Sequence, residues 1–290
     1  MAAGESTRSA GALAHAAGVR DASEEVELHG GTANRGLVVR VGDTVRRPPG
    51  SGSQGVHALL RHLERVGFDG APRYLGEDEQ GREVLTYIEG QVPVAPYPGW
   101  ALTDEALTGV ADLLRRYHSA VASFDPCPYR WGSQVPPRYR TGLVSHNDPN
   151  LDNIVFRGTT AVALIDFDLA SPGSALWDVA LAARLWVPLR DPADVPDDRA
   201  CRAVERLRLF ADAYGVRHEQ RSAFVAAARA SHTWCYDTVR AGADRGQAGY
   251  AEYWTPSAQA HDLRGERWLD AHEEALTRGV LGHEPERLVL

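Results

Sequence analysis

Hydrophobic positions along the chain change period as it proceeds. Val26 and Leu28, and then Leu37, Val39 and Val41, alternate with polar residues as short half-buried strands do, with the glycine-bearing stretch from His29 to Gly36 between them as a turn. From about Ser53 to Val66 the period lengthens, and Val56, Leu59, Leu60 and Leu63 form one stripe of an amphipathic helix. A strand from Val84 to Glu89 ends in Gly90, and the Pro-rich segment from Gln91 to Trp100 reads as a linker. Leu107, Val110, Leu114, Tyr117 and Val121 predict a helix starting near Thr103 or Asp104. Beyond Asp191 the pattern predicts helices near Arg199 to Tyr214, His218 to Ala241 and Ala258 to Leu276. Strands thus give way to helices, an α+β organisation.

Between these regions, Asn153 to Arg157 and Ala161 to Asp166 read as two strands joined through Gly158, Thr159 and Thr160. A turn centred on Thr159 and Thr160 would set Arg157 opposite Val162, Val155 opposite Leu164 and Asn153 opposite Asp166. Cross-strand neighbours lie roughly 4.5–5.5 Å apart, a gap that one magnesium ion with oxygen ligands at about 2.1 Å can bridge. Asp148 precedes the first strand in a Pro/Asn-rich loop, where it could face a substrate hydroxyl. A carboxylate to accept a hydroxyl proton and oxygen ligands for magnesium are what phosphoryl transfer asks of a protein.

His146-Asn147-Asp148 followed by Asn153, then Ile165-Asp166-Phe167-Asp168, resembles the aminoglycoside phosphotransferase-like family of small-molecule kinases, relatives of the protein kinases. The resemblance implies a two-lobed fold: a small β-rich nucleotide-binding lobe over residues 25–90 and a larger, mainly helical catalytic and acceptor-binding lobe over 91–290. It implies that Asp148 is the base, that Asn153 and Asp166 hold magnesium, and that His146 and Asp178 support the loop. Asp168 could be a second metal contact or serve only the backbone. The resemblance also places the turn with Gly30 and Gly31 over the phosphates of ATP, or of GTP, and the adenine against backbone groups near Tyr87 to Glu89.

All 31 basic side chains are arginine, which excludes any enzyme that depends on a Walker A lysine. The family's phosphate-binding lysine is replaced by Arg47, with Arg46 on the other strand face. The helix from Ser53 carries Glu64 as its single Glu, in its last turn, too late to meet Arg47, so the usual lysine–glutamate pair has no counterpart there. That gap motivates a rival reading, a nucleotide-binding module that transfers nothing. A glycoside hydrolase using Asp166 and Asp168 is weaker, because no glutamate follows nearby to act as the acid.

Composition narrows the setting. A chain of 290 residues, 43% hydrophobic, builds one or two domains with a substantial core, and residues 1–24, rich in Ala, Gly and Ser, read as a flexible leader. No apolar run reaches eighteen residues and no signal-peptide pattern opens the chain, so the expectation is a cytoplasmic protein with no membrane partner. Cys127, Cys201 and Cys235 have neither disulfide nor zinc spacing and are expected to be inert. The segment 143–198 holds nine Asp, no Glu and three Arg, a local balance of −6 out of a total of −8. That acidity argues against nucleic acid and suggests a cationic hydroxyl-bearing acceptor such as an amino sugar. Oligomeric state is left open. In the last third, Tyr250, Tyr253, Trp254, Asp262, Trp268 and Asp270 are candidates for the acceptor pocket, though each is more commonly a core anchor or a solvated charge.

Overall fold

The computed structural model describes residues 24–28 and 36–282. The leader and the turn with Gly30 and Gly31 lie outside the described residues. The N-terminal lobe is an antiparallel sheet of β1 (Glu25–Glu27), β2 (Val39–Val41), β3 (Thr44–Arg47), β4 (Tyr74–Glu77) and β5 (Glu83–Thr86) in the order β1-β2-β3-β5-β4, with α1 (Ser53–Arg65) between β3 and β4 in sequence. The stripe read from the sequence is the one that α1 buries: Val56, Leu59, Leu60 and Leu63 are all in the core.

The C-terminal lobe is built on helices α2 (Asp104–Val121), α3 (Ala175–Trp186), α4 (Ala203–Tyr214), α5 (Arg221–Asp244), α6 (Ala248–Tyr253) and α7 (Pro256–Val280). Thr103, Ser174 and Thr255 cap α2, α3 and α7 by accepting hydrogen bonds from the N–H groups of Ala106, Trp177 and Ala258. Gly215, in the left-handed conformation, ends α4. Trp177, Trp186, Tyr117, Phe156, Phe167 and Phe210 are fully buried. The short helix α6 has no counterpart in the sequence pattern, because six residues are too few to show a helical period.

Two small ribbons between the helices carry the loops of the site: β6 (Leu143–Ser145) pairs with β9 (Ser171–Gly173), and β7 (Ile154–Arg157) with β8 (Thr160–Leu164). The second is the expected hairpin with its register corrected. Arg157 faces Thr160, not Val162, and Val155 faces Ala163, not Leu164. The turn is the two residues Gly158 and Thr159, and Gly158 takes the positive φ of 62° that a two-residue hairpin requires at its first central position. Thr160, β-branched and suited to a pleated strand, therefore belongs to β8. A bulge between Val155 and Phe156 then shifts the pairing, so that Ile154 faces Leu164. Ile165 N donates to Asn153 O at 3.0 Å, which keeps Asn153 and Asp166 at neighbouring strand ends although they are not direct cross-strand partners.

Candidate active site

The loop after β6 is held from below by Asp178, fully buried in the first turn of α3. Its carboxylate accepts from His146 N at 2.7 Å, from Asn147 N at 2.9 Å and from His118 Nε2 at 3.0 Å. Burial alone would push Asp178 up, but His118 and the loop N–H groups hold it below its ordinary value. Asn147 has a positive φ of 64°, unusual for a residue other than glycine. Its side chain is fixed on all sides: Nδ2 donates to Leu169 O and Ser171 Oγ, and Oδ1 accepts from Trp177 Nε1. A strained residue persists where its surroundings over-determine it. His146 is buried, with Nε2 at 3.0 Å from Ile165 O, so it ties the loop to the end of β8.

Asp148 projects from this clamp. Asn150 Nδ2 donates to its Oδ1, and Asn153 Nδ2 donates to its Oδ2 and its backbone O, each at 2.9 Å. That orientation leaves Asn153 Oδ1 as the oxygen available to a cation. Burial and the charges of Asp166 and Asp152 push the Asp148 carboxyl well above its ordinary value, against the pull of the Asn153 amide. Asp166, at the end of β8, also has a positive φ, 60°.

Arg47, buried on β3, reaches across to these acids. Nη1 is 2.9 Å from Asp166 Oδ1 and Nη2 is 2.7 Å from Asp168 Oδ1, while Nε donates to Glu83 Oε1, its direct cross-strand partner on β5. Glu83 is 1% exposed, and its other oxygen lies 2.5 Å from Nε2 of His57 on α1. Burial would lower Arg47, but Asp168, Asp166 and Glu83 together hold it above its ordinary value. Burial and the Asp166 charge push Asp168 up to about 6 despite Arg47. The carboxylate expected from the helix thus comes from the neighbouring strand, and α1 contributes His57 behind it. Glu64, as expected, is elsewhere, 3.5 Å from Arg73.

Among the described residues, no three His, Cys, Asp or Glu are gathered as a metal cluster. Asn153 and Asp166 offer side-chain oxygens at one corner of both clefts, the donor type magnesium takes together with phosphate oxygens and water, with Asp166 Oδ1 also 2.9 Å from Arg47 Nη1. The donor chemistry fits that ion.

Two clefts meet at these residues. The first, about 220 Å³, lies between the lobes, with Val38, Val45, Leu85, Tyr87, Ile88 and Val155 as apolar walls and Arg47, Asn153 and Asp166 at its inner end. Tyr87 lines it and stacks under Arg40, 3.6 Å from ring centre to guanidinium carbon. The Glu89 side chain is turned away to Arg40. Tyr87 N donates to Asp43 O, and Glu89 O accepts from Arg157 Nε. The second cleft, about 350 Å³, lies within the C-terminal lobe and includes Asp148, Asn150, Arg184, Arg190, Trp234, Tyr236, Tyr250 and Tyr253. Asn153, Asp152 and Asp166 line both. Of the aromatic and acidic candidates in the last third, Tyr250 and Tyr253 are at this cleft. Trp268 is in the core, Asp262 accepts from His232 and Asp270 pairs with Arg229.

Glu83, His57, Arg184 and Arg190 were missed by sequence reasoning. The available signal for Glu83 was an acid two residues before Leu85, on the face of β5 that points inward.

A family model described as "Phosphotransferase enzyme family" matches residues 129–214, the span that holds Asp148, Asn153, Asp166 and Asp178. The trifolitoxin immunity protein of Rhizobium leguminosarum bv. trifolii is 37% identical in an alignment of 217 positions that covers 70% of this chain and 78% of that protein. In structure the chain is similar to a choline kinase of Cryptosporidium parvum, with a TM-score of 0.56 at 13% identity over 91% of this chain and 93% of that one. It is also similar to a choline/ethanolamine kinase family protein of Mesorhizobium loti, with a TM-score of 0.52 at 18% identity over 84% and 93%. The two-lobed protein-kinase-like fold and the 37% relative agree with the loop, the hairpin and the paired clefts, and the chain belongs to the phosphotransferase enzyme family of small-molecule kinases.

Proposed function

We propose that the protein is a small-molecule kinase, moving the terminal phosphate of ATP or GTP to a hydroxyl of a small acceptor, with magnesium held by Asn153 and Asp166. One observation carries the reading: Asp148 lines the polar cleft and is bonded to Asn153, which with Asp166 lines both that cleft and the apolar inter-lobe one. The nucleotide base occupies the first cleft and the acceptor the second. Asp148 orients the acceptor hydroxyl and takes its proton as the oxygen–phosphorus bond forms and the bond to the bridging oxygen of the leaving diphosphate breaks. Magnesium, when bound, would neutralise charge on the phosphates. Arg47, anchored by Glu83, grips a phosphate oxygen from the N-terminal lobe.

The rival, a nucleotide-binding module that transfers nothing, drew on the lack of a helix carboxylate for Arg47. Glu83 answers that lack and favours the kinase. No helix among the described residues is long and apolar enough to cross a membrane, and we place the reaction in the cytoplasm, where the nucleotide is abundant. The relative named for immunity to a toxin makes inactivation of a toxic small molecule the physiological role we favour over a step of metabolism. Asp148→Asn keeps the shape that Asn150 and Asn153 surround while removing the proton acceptor. Acceptor-dependent release of nucleoside diphosphate should fall by about 10²–10⁴-fold, the usual weight of general-base catalysis, with nucleotide affinity retained. Full activity in this variant would refute the assignment.

A further inference from the structure

The acceptor cleft is lined by charges of both signs: Asp148, Asp152, Asp166, Asp168 and Asp194, together with Arg184, in the last turn of α3, and Arg190, in the loop that follows. Four arginines are buried among the described residues, and three have a carboxylate: Arg47 has Glu83, Asp166 and Asp168, Arg199 has Asp197, and Arg206 has Asp104. Arg184, 7% exposed, differs. Its Nε donates to Ser231 Oγ at 3.1 Å and its Nη2 to Cys235 Sγ at 3.1 Å, both neutral groups on α5.

Arg190 is half-buried, and its guanidinium, like that of Arg184, has no carboxylate within 4.0 Å among the described residues. Burial and the Arg184 charge push it below its ordinary value, partly opposed by Tyr236 and Tyr97. Asp194, which also lines the cleft, is already bonded to Arg264 at 2.5 Å and to His261 at 3.3 Å. Buried cations are ordinarily paired. Arg184 and Arg190 both line the cleft and neither is ion-paired among the described residues, so their guanidinium forks offer an anion the geometry that suits a carboxylate. Asp148, Arg184 and Cys235, which accepts from Arg184, all line this one cleft, so one small molecule in it can meet both an acid and a guanidinium.

We propose that the acceptor is a hydroxylated carboxylate, its anionic group held by Arg184 and Arg190 and its hydroxyl presented to Asp148, with an apolar body against Trp234, Tyr236 and Tyr250. The placement of the hydroxyl rests on the kinase reading; the anion site does not. Part of the acidity that suggested a cationic acceptor is engaged elsewhere: Asp191 and Asp197 cap helical turns, Asp197 also pairs with Arg199, and Asp194 pairs with Arg264.

The test uses glycerate, homoserine and 3-phenyllactate, the amide of each, and the amines ethanolamine and choline. Binding to the full-length protein with magnesium and a non-hydrolysable nucleotide analogue is followed by calorimetry, and nucleoside diphosphate release is followed with ATP. At least one acid should bind at least tenfold more tightly than its amide. Arg190→Gln should remove that preference while still binding nucleotide, and Arg190→Lys should restore part of it. Equal binding of every acid and its amide by the wild type, tighter binding of the amines, or an undiminished acid preference in Arg190→Gln would each overturn the proposal. Acids that bind through Arg190 without receiving phosphate would uphold the anion site and count against the kinase reading.

Discussion

Glu83→Gln tests the most unusual part of the site. The Glu83 carboxylate accepts from Arg47 Nε and from His57 Nε2, and at 1% exposure it has no water to replace either. A glutamine fits the space but offers one acceptor, so its amide N–H₂ must face one of the two donors. Each charge-assisted bond is worth about 1.5–3 kcal/mol, and removing one partner of a buried pair costs about 3–5 kcal/mol. With one neutral bond retained, we expect a loss of roughly 3 kcal/mol. In a chain of this length that lowers the melting midpoint by about 6 °C, at roughly 2 °C per kcal/mol. Freed from its anchor, Arg47 would turn further onto Asp166 and Asp168, and nucleotide KM should rise on the order of tenfold, the weight of about 1.4 kcal/mol.

The effect has a defined pH dependence. Burial alone would raise Glu83, but His57 and Arg47 hold it below its ordinary value. A depressed carboxylate stabilises the fold above its unfolded pKa of about 4.3, and that contribution is lost as pH falls through the lower folded value. The gap in stability between wild type and variant should therefore be complete at neutral pH and narrow in acid. Thermal melts from pH 3 to 8 and steady-state nucleotide titrations measure both parts. A variant that melts within a degree of wild type at pH 7 and keeps its nucleotide KM would refute the linkage of Glu83 to the site.

Two further substitutions probe how the site is held. Asp178→Asn, which turns an amide toward one of three donors at 2.7–3.0 Å, should cost about 3 kcal/mol and reduce turnover more than nucleotide affinity, as read by denaturation and a kcat against KM comparison. Gly90→Ala sets a Cβ 2.4 Å from Val155 Cγ1 and 2.6 Å from Phe156 O at a φ of 154°, against the bridge between Gln91 and Phe156. It should cost at least about 1–3 kcal/mol and weaken nucleotide binding, because Gly90 and Val155 both line the inter-lobe cleft.

What the sequence made legible was local. Asp148, Asn153 and Asp166 are close in the chain and joined by a hairpin, so spacing alone brings them together even with the register two residues off at the turn. The error came from the turn: Gly158 can adopt a positive φ at no cost, which shortens the loop and moves Thr160 into the strand. Glu83 escaped because it is 36 residues from Arg47, and pairing at that distance depends on which strands of the sheet become neighbours. The net charge of the segment 143–198 is a coarse guide to the cleft for a related reason. A sum gives every charge equal weight, whereas folding engages Asp191, Asp194 and Asp197 with caps and arginines and turns Arg184 and Arg190, two of the three cations counted, into the cleft.

The absence of lysine becomes intelligible from the same geometry. A lysine ammonium is a single charged point and gathers its partners around one atom. The Arg47 guanidinium separates them: Nε is fixed by Glu83 on the sheet side, and Nη1 and Nη2 extend toward Asp166 and Asp168. The anchoring bond and the bonds to the loop acids thus belong to different nitrogens of one rigid plane. An incoming phosphate can take over the η nitrogens while the ε nitrogen stays with Glu83, so the cation need not leave its support to bind nucleotide. The anchor can then come from a strand, because the fork, unlike an ammonium, reaches a cross-strand carboxylate and the loop acids at the same time.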